Sequence, residues 1–304
     1  MSVDLRPVTP DSHAALRVLL AHPSLAYEFE TYLAAGMLED KLADPFVDPA
    51  GTRLALVDGE PAGFSLAFVI PEPAGGAWAM LRIGVAGPFR RRGLGTALLE
   101  RLLASLRERA GGELGEVCMS AWLPSAAAAV FAARHGFLPT RNYWRMERAL
   151  APVPDVAWPP GTEARLFDGS DAALADWNET YNRSFAEHYH FVPSTVEHCR
   201  TLAAGATFLP GGLVLAYRGD RCAGFCRNEP EGSTGVVRVL GVVPEARGIG
   251  LGRALLRWAV ACFAGRGFER AGLIVEGRNE TALRLYLSEG FAITRTRATW
   301  SRPL

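Results

Sequence analysis

Two stretches of this chain are close copies of each other. The run Leu81 to Leu99 recurs as Arg238 to Leu256, so that Arg90, Gly93, Gly95, Leu98 and Leu99 fall on Arg247, Gly250, Gly252, Leu255 and Leu256 at a constant spacing of 157. A repeat this long implies two copies of one domain. Each copy reads as an apolar strand, a short basic glycine loop and an amphipathic helix. The 304 residues give each copy the usual size for an independent core. The expected domains are 1–150 and 161–304, joined by a linker at 151–160 where Pro152, Pro154, Pro159 and Pro160 cluster.

The flanking pattern is the same in both halves. In the first, a strand is expected over Val3 to Val8, a helix over Asp11 to Leu20, and strands over Thr52 to Val57 and Ala62 to Ile70 joined at Asp58-Gly59. Ala77 to Val85 reads as an apolar strand. The helix after the glycine loop carries Leu94, Leu98, Leu102 and Leu106 on one stripe. A strand near Val117 to Trp122, an Ala-rich helix ending at Gly136 and a strand from Asn142 to Leu150 follow. The second half repeats the plan, with strands at Glu163–Leu166, Gly272–Val275 and Ala292–Trp300, a hairpin over Leu213–Cys226, and helices between Asp171 and Ala204 and over Glu280–Ser288. The expected fold class is α/β, each domain a mixed central sheet flanked by helices.

Bulk properties narrow the function. The 32 basic and 32 acidic residues balance, so charge gives no reason to expect nucleic acid or an anionic membrane as partner. No apolar run approaches the length of a membrane span, and Met1 to Arg6 has no apolar signal core. The five cysteines are dispersed and odd in number, unlike a disulfide framework. These features lead us to expect a cytoplasmic protein.

The second loop, Arg247 to Gly252, runs directly into a helix from Leu251. A helix N-terminus leaves backbone N–H groups unpaired and carries partial positive charge, and a phosphate accepts those donors. Glycines let the anion approach the backbone, and arginines add charge-assisted bonds. Arg247, Gly248, Ile249, Gly250, Leu251, Gly252 and Arg253 are the cradle residues here. Arg90, Arg91, Arg92, Gly93, Leu94, Gly95 and Thr96 are those of the first half. A dinucleotide fingerprint would need G-x-G-x-x-G directly after a strand, and a Walker A loop would need Gly-Lys-Ser/Thr; neither is present. A plain strand–helix turn with solvated arginines is the structural alternative, weakened by the second copy.

The remaining signature, R/Q-x-x-G-x-G/A between strand and helix, resembles the GNAT acetyltransferase superfamily, twice over and across nearly the whole chain. The resemblance implies two tandem GNAT-like domains whose loop amides hold the pyrophosphate of acetyl-CoA (coenzyme A). It implies that Leu240, Gly241 and Val242, and in the first domain Ile83 and Val85, pair by backbone with the pantetheine arm. A second motif runs from Val275 to Phe291. It holds Asn279, then Tyr286 seven residues on and on the same helix face, then Gly290-Phe291. In the family the Asn meets pantetheine and the Tyr protonates the departing thiolate. The structural alternatives are an ordinary N-cap for Asn279 and a core aromatic for Tyr286.

The first half departs from this motif. Counted back from Gly136-Phe137, Ala132 stands where Tyr286 stands and Ser125 where Asn279 stands. The first domain is therefore expected to be catalytically degenerate and the second catalytic. In layout this is similar to the mycothiol synthase family of tandem GNAT enzymes, but the acceptor-binding parts do not carry its substrate over.

The expected activity is acetyl-CoA-dependent N-acetylation of the primary amine of a small molecule. A non-catalytic acyl-CoA binding or sensing protein is the alternative. An alkylamine is mostly protonated at neutral pH, so a base must act beside the acid Tyr286. Val236, Val237 and Val239 occupy the strand where related enzymes often place a Glu. Glu231 and Glu276 are the nearest acids; of the two Glu276, beside the Asn279 end of the cleft, is the preferred base, and a solvated strand-end Glu is its structural alternative. Trp177 to Phe191 is aromatic and polar and falls where GNAT folds line the acceptor side, so Phe185, His188, Tyr189 and His190 are expected to contact the acceptor. His188, His190, His198 and Cys199 match no named metal spacing, so no metal is expected. Cys222 and Cys226 read as buried thiols. The two copies are expected to pack as an internal pseudo-dimer in a monomeric chain.

Overall fold

The strand and helix periodicities resolve into twelve strands and nine α-helices in the computed structural model, which describes residues 2–33, 36–72, 75–110 and 113–304. The strands are β1 (Val3–Pro7), β2 (Arg53–Val57), β3 (Glu60–Pro71), β4 (Ala77–Val85), β5 (Leu114–Trp122), β6 (Leu138–Ala149), β7 (Thr162–Leu166), β8 (Leu213–Arg218), β9 (Arg221–Glu231), β10 (Thr234–Val242), β11 (Arg270–Glu276) and β12 (Ala292–Pro303). The helices are α1 (His13–Leu20), α2 (Pro23–Ala26), α3 (Met37–Leu42), α4 (Leu94–Ala110), α5 (Ala126–Arg134), α6 (Asp171–Phe185), α7 (Val196–Ala204), α8 (Leu251–Ala264) and α9 (Glu280–Ser288). None of the described helices is long and apolar enough to cross a membrane.

The chain forms two compact units. Unit 1 holds residues 1–141 and 297–304, and unit 2 holds 142–296. Within unit 1 the strand order is β1-β2-β3-β4-β5-β12, and within unit 2 it is β7-β8-β9-β10-β11-β6. The two orders correspond position by position except for the sixth strand. In unit 1 that strand is the end of β12, antiparallel to β5 from Arg297↔Trp122 to Pro303↔Glu116. In unit 2 it is the end of β6, antiparallel to β11 from Tyr143↔Glu276 to Ala149↔Arg270. The division therefore falls at 141/142 and 296/297, not at the expected 150/161. The reason is long-range strand pairing, which local periodicity does not encode. The proline-rich 151–160 has no regular structure, as expected, but lies inside unit 2.

Each sheet is antiparallel apart from one parallel pair, β4 with β5 and β10 with β11. Helices cover both faces. In unit 2, alternation along β9 sends Phe225 to the face covered by α6 and α7, and Cys226 to the face covered by α8 and α9. In unit 1 the α4 stripe of Leu94, Leu98, Leu102 and Leu106 is buried as its period requires. Burial at about 25 cal/mol per Å² of apolar surface makes these layers the main stabilising element.

The α8 layer packs so closely that β10 carries no side chain at one point. A Cβ on Gly235 would lie 2.1 Å from the ring of Phe263, itself fully buried. Gly235→Ala should cost about 1–3 kcal/mol through overpacking and lower the urea midpoint. Adding Phe263→Leu should recover part of the loss, and an unchanged midpoint in the single variant would contradict this packing.

Candidate active site

Beyond Val242 the chain of unit 2 turns through a short 3-10 segment, Pro244–Ala246, and reaches the glycine loop. Gly248 and Gly250 have φ of +80° and +91°, a region open to glycine at little cost. Gly250 is the N-cap of α8 and offers no capping side chain. A Cβ on Gly248 or Gly250 would meet nothing within 4 Å, so the first-turn amides of α8 look onto open space. Unit 1 repeats this backbone with Arg91 at φ +64° and Gly93 at +83°.

Arginine, expected to supply charge to the loop, also has a structural task. Arg247 donates through Nε to the Val242 carbonyl (3.3 Å) and through Nη2 to that of Ser184 (3.1 Å). Arg90 does the same with Val85 (2.9 Å) and Ser24 (2.8 Å). In both units this arginine ties the end of the motif strand to the segment beside it. Arg253 donates to Glu289.

The cleft itself comes from a parting of strands. β10 pairs with β11 only from Thr234↔Arg270 to Val237↔Leu273, whereas its pairing with β9 runs on to Val242. From Val239 to Val242, β10 thus has one edge with no strand partner, a template for an added strand. At the parting the β9–β10 register slips between Val237 and Val239, so Arg238 is the extra residue of a bulge. The slip puts Arg238 and Val239 on the same face: Arg238 bonds Glu229, and Val239 packs with the α6–α7 layer.

On the α8–α9 side stands Tyr286, 9% exposed. Burial, with a smaller contribution from Cys226, pushes its phenol pKa up to about 12, so it stays protonated at neutral pH. Cys226 pairs in register with Leu240, in the unpartnered stretch of β10. The Tyr286 hydroxyl has no hydrogen-bond partner among the described residues and is not one of the fully buried unpartnered atoms, so the oxygen itself is accessible. Asn279 is the N-cap of α9, its side chain accepting from the Ala282 amide (3.1 Å). The capping alternative is thus realised, with the Asn279 amide nitrogen left over for another acceptor.

The α6–α7 side carries the expected acceptor segment. Phe185 stacks edge-on with His188 (centroids 4.8 Å apart) and tilts against Tyr181 (5.1 Å). Tyr189 and His190 form their own stacked pair at 3.7 Å, Tyr189 being 40% exposed. Burial lowers the His188 pKa below its ordinary value, partly offset by the carboxylate of Glu276 at the end of β11. His188 is also repelled by Arg247, just past β10. His188 thus senses charge from the end of β11 and from the loop after β10. Ser184 is 4% exposed, its hydroxyl has no partner, and it lies 3.0 Å from where a Gly241 Cβ would stand.

Sequence reasoning missed the charges on this face. Arg227 and Glu229 are both buried, with Arg227 Nη1 2.7 Å from Glu229, and Arg238 Nε 2.5 Å from the other oxygen of the same carboxylate. The available signal was charge at alternate positions in an otherwise apolar strand: Arg227, Glu229 and Glu231. Glu231 bonds Arg145 at 2.7 Å, and Arg145 also bonds Glu147 at 2.8 Å.

Unit 1 parts its strands as well, β4 leaving β5 after Leu81↔Met119, but without the bulge toward β3. Here the gap is bridged by side chains. Arg82 donates to Ser120 (2.9 Å), the Trp122 amide donates to Glu28 (2.8 Å), and Arg297 lies 3.3 Å from Glu28 and 4.3 Å from the Trp122 ring centroid. Because Arg90 and Arg247 bind the carbonyls of Ser24 and Ser184, four residues further on Glu28 corresponds to His188. Ala132, fully buried, occupies the place of Tyr286, and Ser125 caps α5 as Asn279 caps α9.

Below the cleft, Glu289 closes α9. Burial alone would raise its pKa, but bonds from Arg257 (2.8 and 3.1 Å) and Arg253 outweigh this and hold it below the ordinary 4.5. A carboxylate with a depressed folded-state pKa stabilises above its unfolded value and loses that stabilisation as pH falls. Glu289→Gln should therefore cost about 1.5–3 kcal/mol at pH 7. The difference from the parent should shrink below pH 4.5 in urea titrations run at both pH values; a constant difference would contradict the ion pair.

A sequence model of the acetyltransferase (GNAT) family matches residues 18–137 and again 172–291. The chain is 37% identical over 229 residues to a mycothiol acetyltransferase of Geodermatophilus obscurus, covering 72% of each chain. It is 38% identical over 220 residues to that of Thermomonospora curvata, covering 71% of each. Its fold is similar to a GCN5-related N-acetyltransferase from Sphaerobacter thermophilus, with a TM-score of 0.77 at 24% identity over 99% of this chain and 95% of that one. A tandem GNAT protein from the clavulanic acid biosynthesis pathway gives 0.72 at 17% identity over 99% and 98%. Two family matches in one chain, on two units that each carry the loop and the parted strands, make this protein an N-acetyltransferase belonging to the acetyltransferase (GNAT) family in its tandem form.

Proposed function

We propose that the chain transfers the acetyl group of acetyl-CoA to the primary amine of a small molecule, and that unit 2 performs the transfer. The observation that carries this reading is the contrast between the two partings. The cleft of unit 2 is backed by a buried phenol with an unused proton, whereas the gap of unit 1 is bridged by Glu28, Arg82 and Arg297.

The residues of unit 2 fit acetyl-CoA. The uncapped start of α8 and the open space over Gly248 and Gly250 suit a pyrophosphate. The edge of β10 from Val239 to Val242 suits the amides of a pantetheine arm, and the orphaned hydroxyl of Ser184 lies beside it. The Asn279 amide nitrogen, which the cap does not use, would meet the same arm. Bound there, acetyl-CoA supplies the thioester whose carbonyl carbon the amine attacks.

The chain's own groups manage the protons. Amides of the bulged strand polarise the carbonyl. Burial keeps Tyr286 protonated, so its hydroxyl can donate to the departing sulfur. On the opposite face Glu276 and His188 form the acid–base pair nearest the cleft. Burial keeps His188 neutral at pH 7 and able to accept the amine proton. Phe185 packs edge-on against the His188 ring.

Release of CoA against a panel of primary amines tests the reading. Tyr286→Phe should lower turnover by about 10²–10⁴-fold, the cost of losing a general acid, and leave acetyl-CoA affinity unchanged. Gly250→Asp should abolish acetyl-CoA binding at unit 2, because it adds strain and a negative charge where a phosphate belongs. Full turnover in Tyr286→Phe together with lost turnover in Gly93→Asp would assign the reaction to unit 1 instead.

A further inference from the structure

The α6–α7 face of the unit 2 cleft carries an uncompensated positive charge at the point where the strands part. Arg227 stands opposite Val239, the first residue of the unpartnered β10 edge, and Arg238 is the bulge residue itself. Both guanidiniums share the one carboxylate of Glu229. Among the described residues no second carboxylate lies within ion-pair distance of either guanidinium. Glu231 and Glu147 are matched by Arg145 and Arg270, a set with no net charge. Asp176 accepts from the Tyr217 hydroxyl at 2.7 Å, and Glu179 pairs with Arg183.

The two arginines are poised differently. Arg227 is walled in, its side chain 8% exposed and its guanidinium 5.9 Å from the Trp177 ring centroid. Its Nε and Nη2 have no partner among the described residues. Arg238 is 40% exposed, so it is anchored at one nitrogen and reachable at the others. A guanidinium has five N–H donors in a planar fork that matches a carboxylate. Burial depresses the Arg227 pKa more than Glu229 restores it, as expected of a buried cation short of one counter-ion.

We propose that this cluster is an acceptor subsite, and that the amine substrate carries a carboxylate which Arg238, backed by Arg227, receives. The proposal rests on unit 2 being the acetyl-transferring unit. Tyr286 and the α8–α9 layer close the other face of β10, so an acceptor approaching from the α6–α7 side passes Arg238. On that side Phe185 and Phe191 lie 5.1 and 6.0 Å from Tyr181 by ring centroids and with it offer an apolar wall to the rest of the molecule. An amino acid or a similar amine-bearing acid has this combination of groups.

The test uses product analogues, so it does not depend on turnover. The intact chain with saturating CoA is titrated calorimetrically with the N-acetyl derivatives of glycine, leucine and phenylalanine, each compared with its carboxamide. A lost charge-assisted hydrogen bond is worth about 10–100-fold in affinity, so at least one acid should bind at least about tenfold more tightly than its amide. Arg238→Gln should erase that preference, Arg238→Lys should keep part of it, and CoA affinity should stay the same in both. Acids and amides binding alike, no acid binding at all, or a preference that survives Arg238→Gln would each overturn the proposal. Selective binding of the acids without any CoA release from the parent amines and acetyl-CoA would leave the subsite standing and count against the transfer reading.

Discussion

After Val237 the hydrogen bonds between β10 and β11 stop while those between β9 and β10 continue, and the cleft of unit 2 is arranged around that parting. A parallel pair that separates leaves a strand edge inside the molecule rather than at its rim. Its backbone donors and acceptors then need partners. The bulge at Arg238 belongs to the same event, since the extra residue lets β10 turn away from β11 without losing β9. It also decides which side chains face the cleft. Arg238 and Val239 share one face of β10 as a consequence of that slip, while Tyr286 of α9 stands on the other.

The two units show how a repeated frame diverges in chemistry. The arginine clamp is retained in both, Arg90 and Arg247 bonding equivalent carbonyls. So is the left-handed loop backbone, though unit 1 places Arg91 where unit 2 has Gly248. What changed in unit 1 lies inside the gap. A carboxylate at position 28 bonds the end of β5 and recruits two arginines, and a small Ala132 fills the core where a phenol stands in unit 2. Glu28, Arg82 and Arg297 thus span that gap with side chains. At the corresponding point unit 2 has His188, whose pKa burial lowers.

Much of this was legible in the sequence, for identifiable reasons. β4 and α9 were expected at Ala77 to Val85 and Glu280 to Ser288, which are the bounds observed, because apolar runs and caps are local signals. The glycine loop was legible because positive φ demands particular residues. The exchange of sixth strands was not, since nothing in β6 or β12 says which strand it will meet. Neither α2 nor α3 was anticipated; both are short, and their residues carry no sustained period. The role of Arg247 was only half read: proximity to a phosphate loop suggested charge, while the geometry uses the guanidinium to hold two carbonyls. The Arg227–Glu229–Arg238 cluster was invisible because a bulge shifts facing by one residue, and no residue type marks Arg238 as bulged.

The central claim is that the edge of β10 in unit 2, and not the gap in unit 1, receives the acyl-bearing arm. A crystal structure of the chain with acetyl-CoA tests it most directly. The account predicts electron density for the arm running along Val239 to Val242, with the thioester between Tyr286 and the Arg238 bulge, and no arm between β4 and β5. Density for an arm in unit 1 with Glu28 displaced, and none along β10, would contradict it.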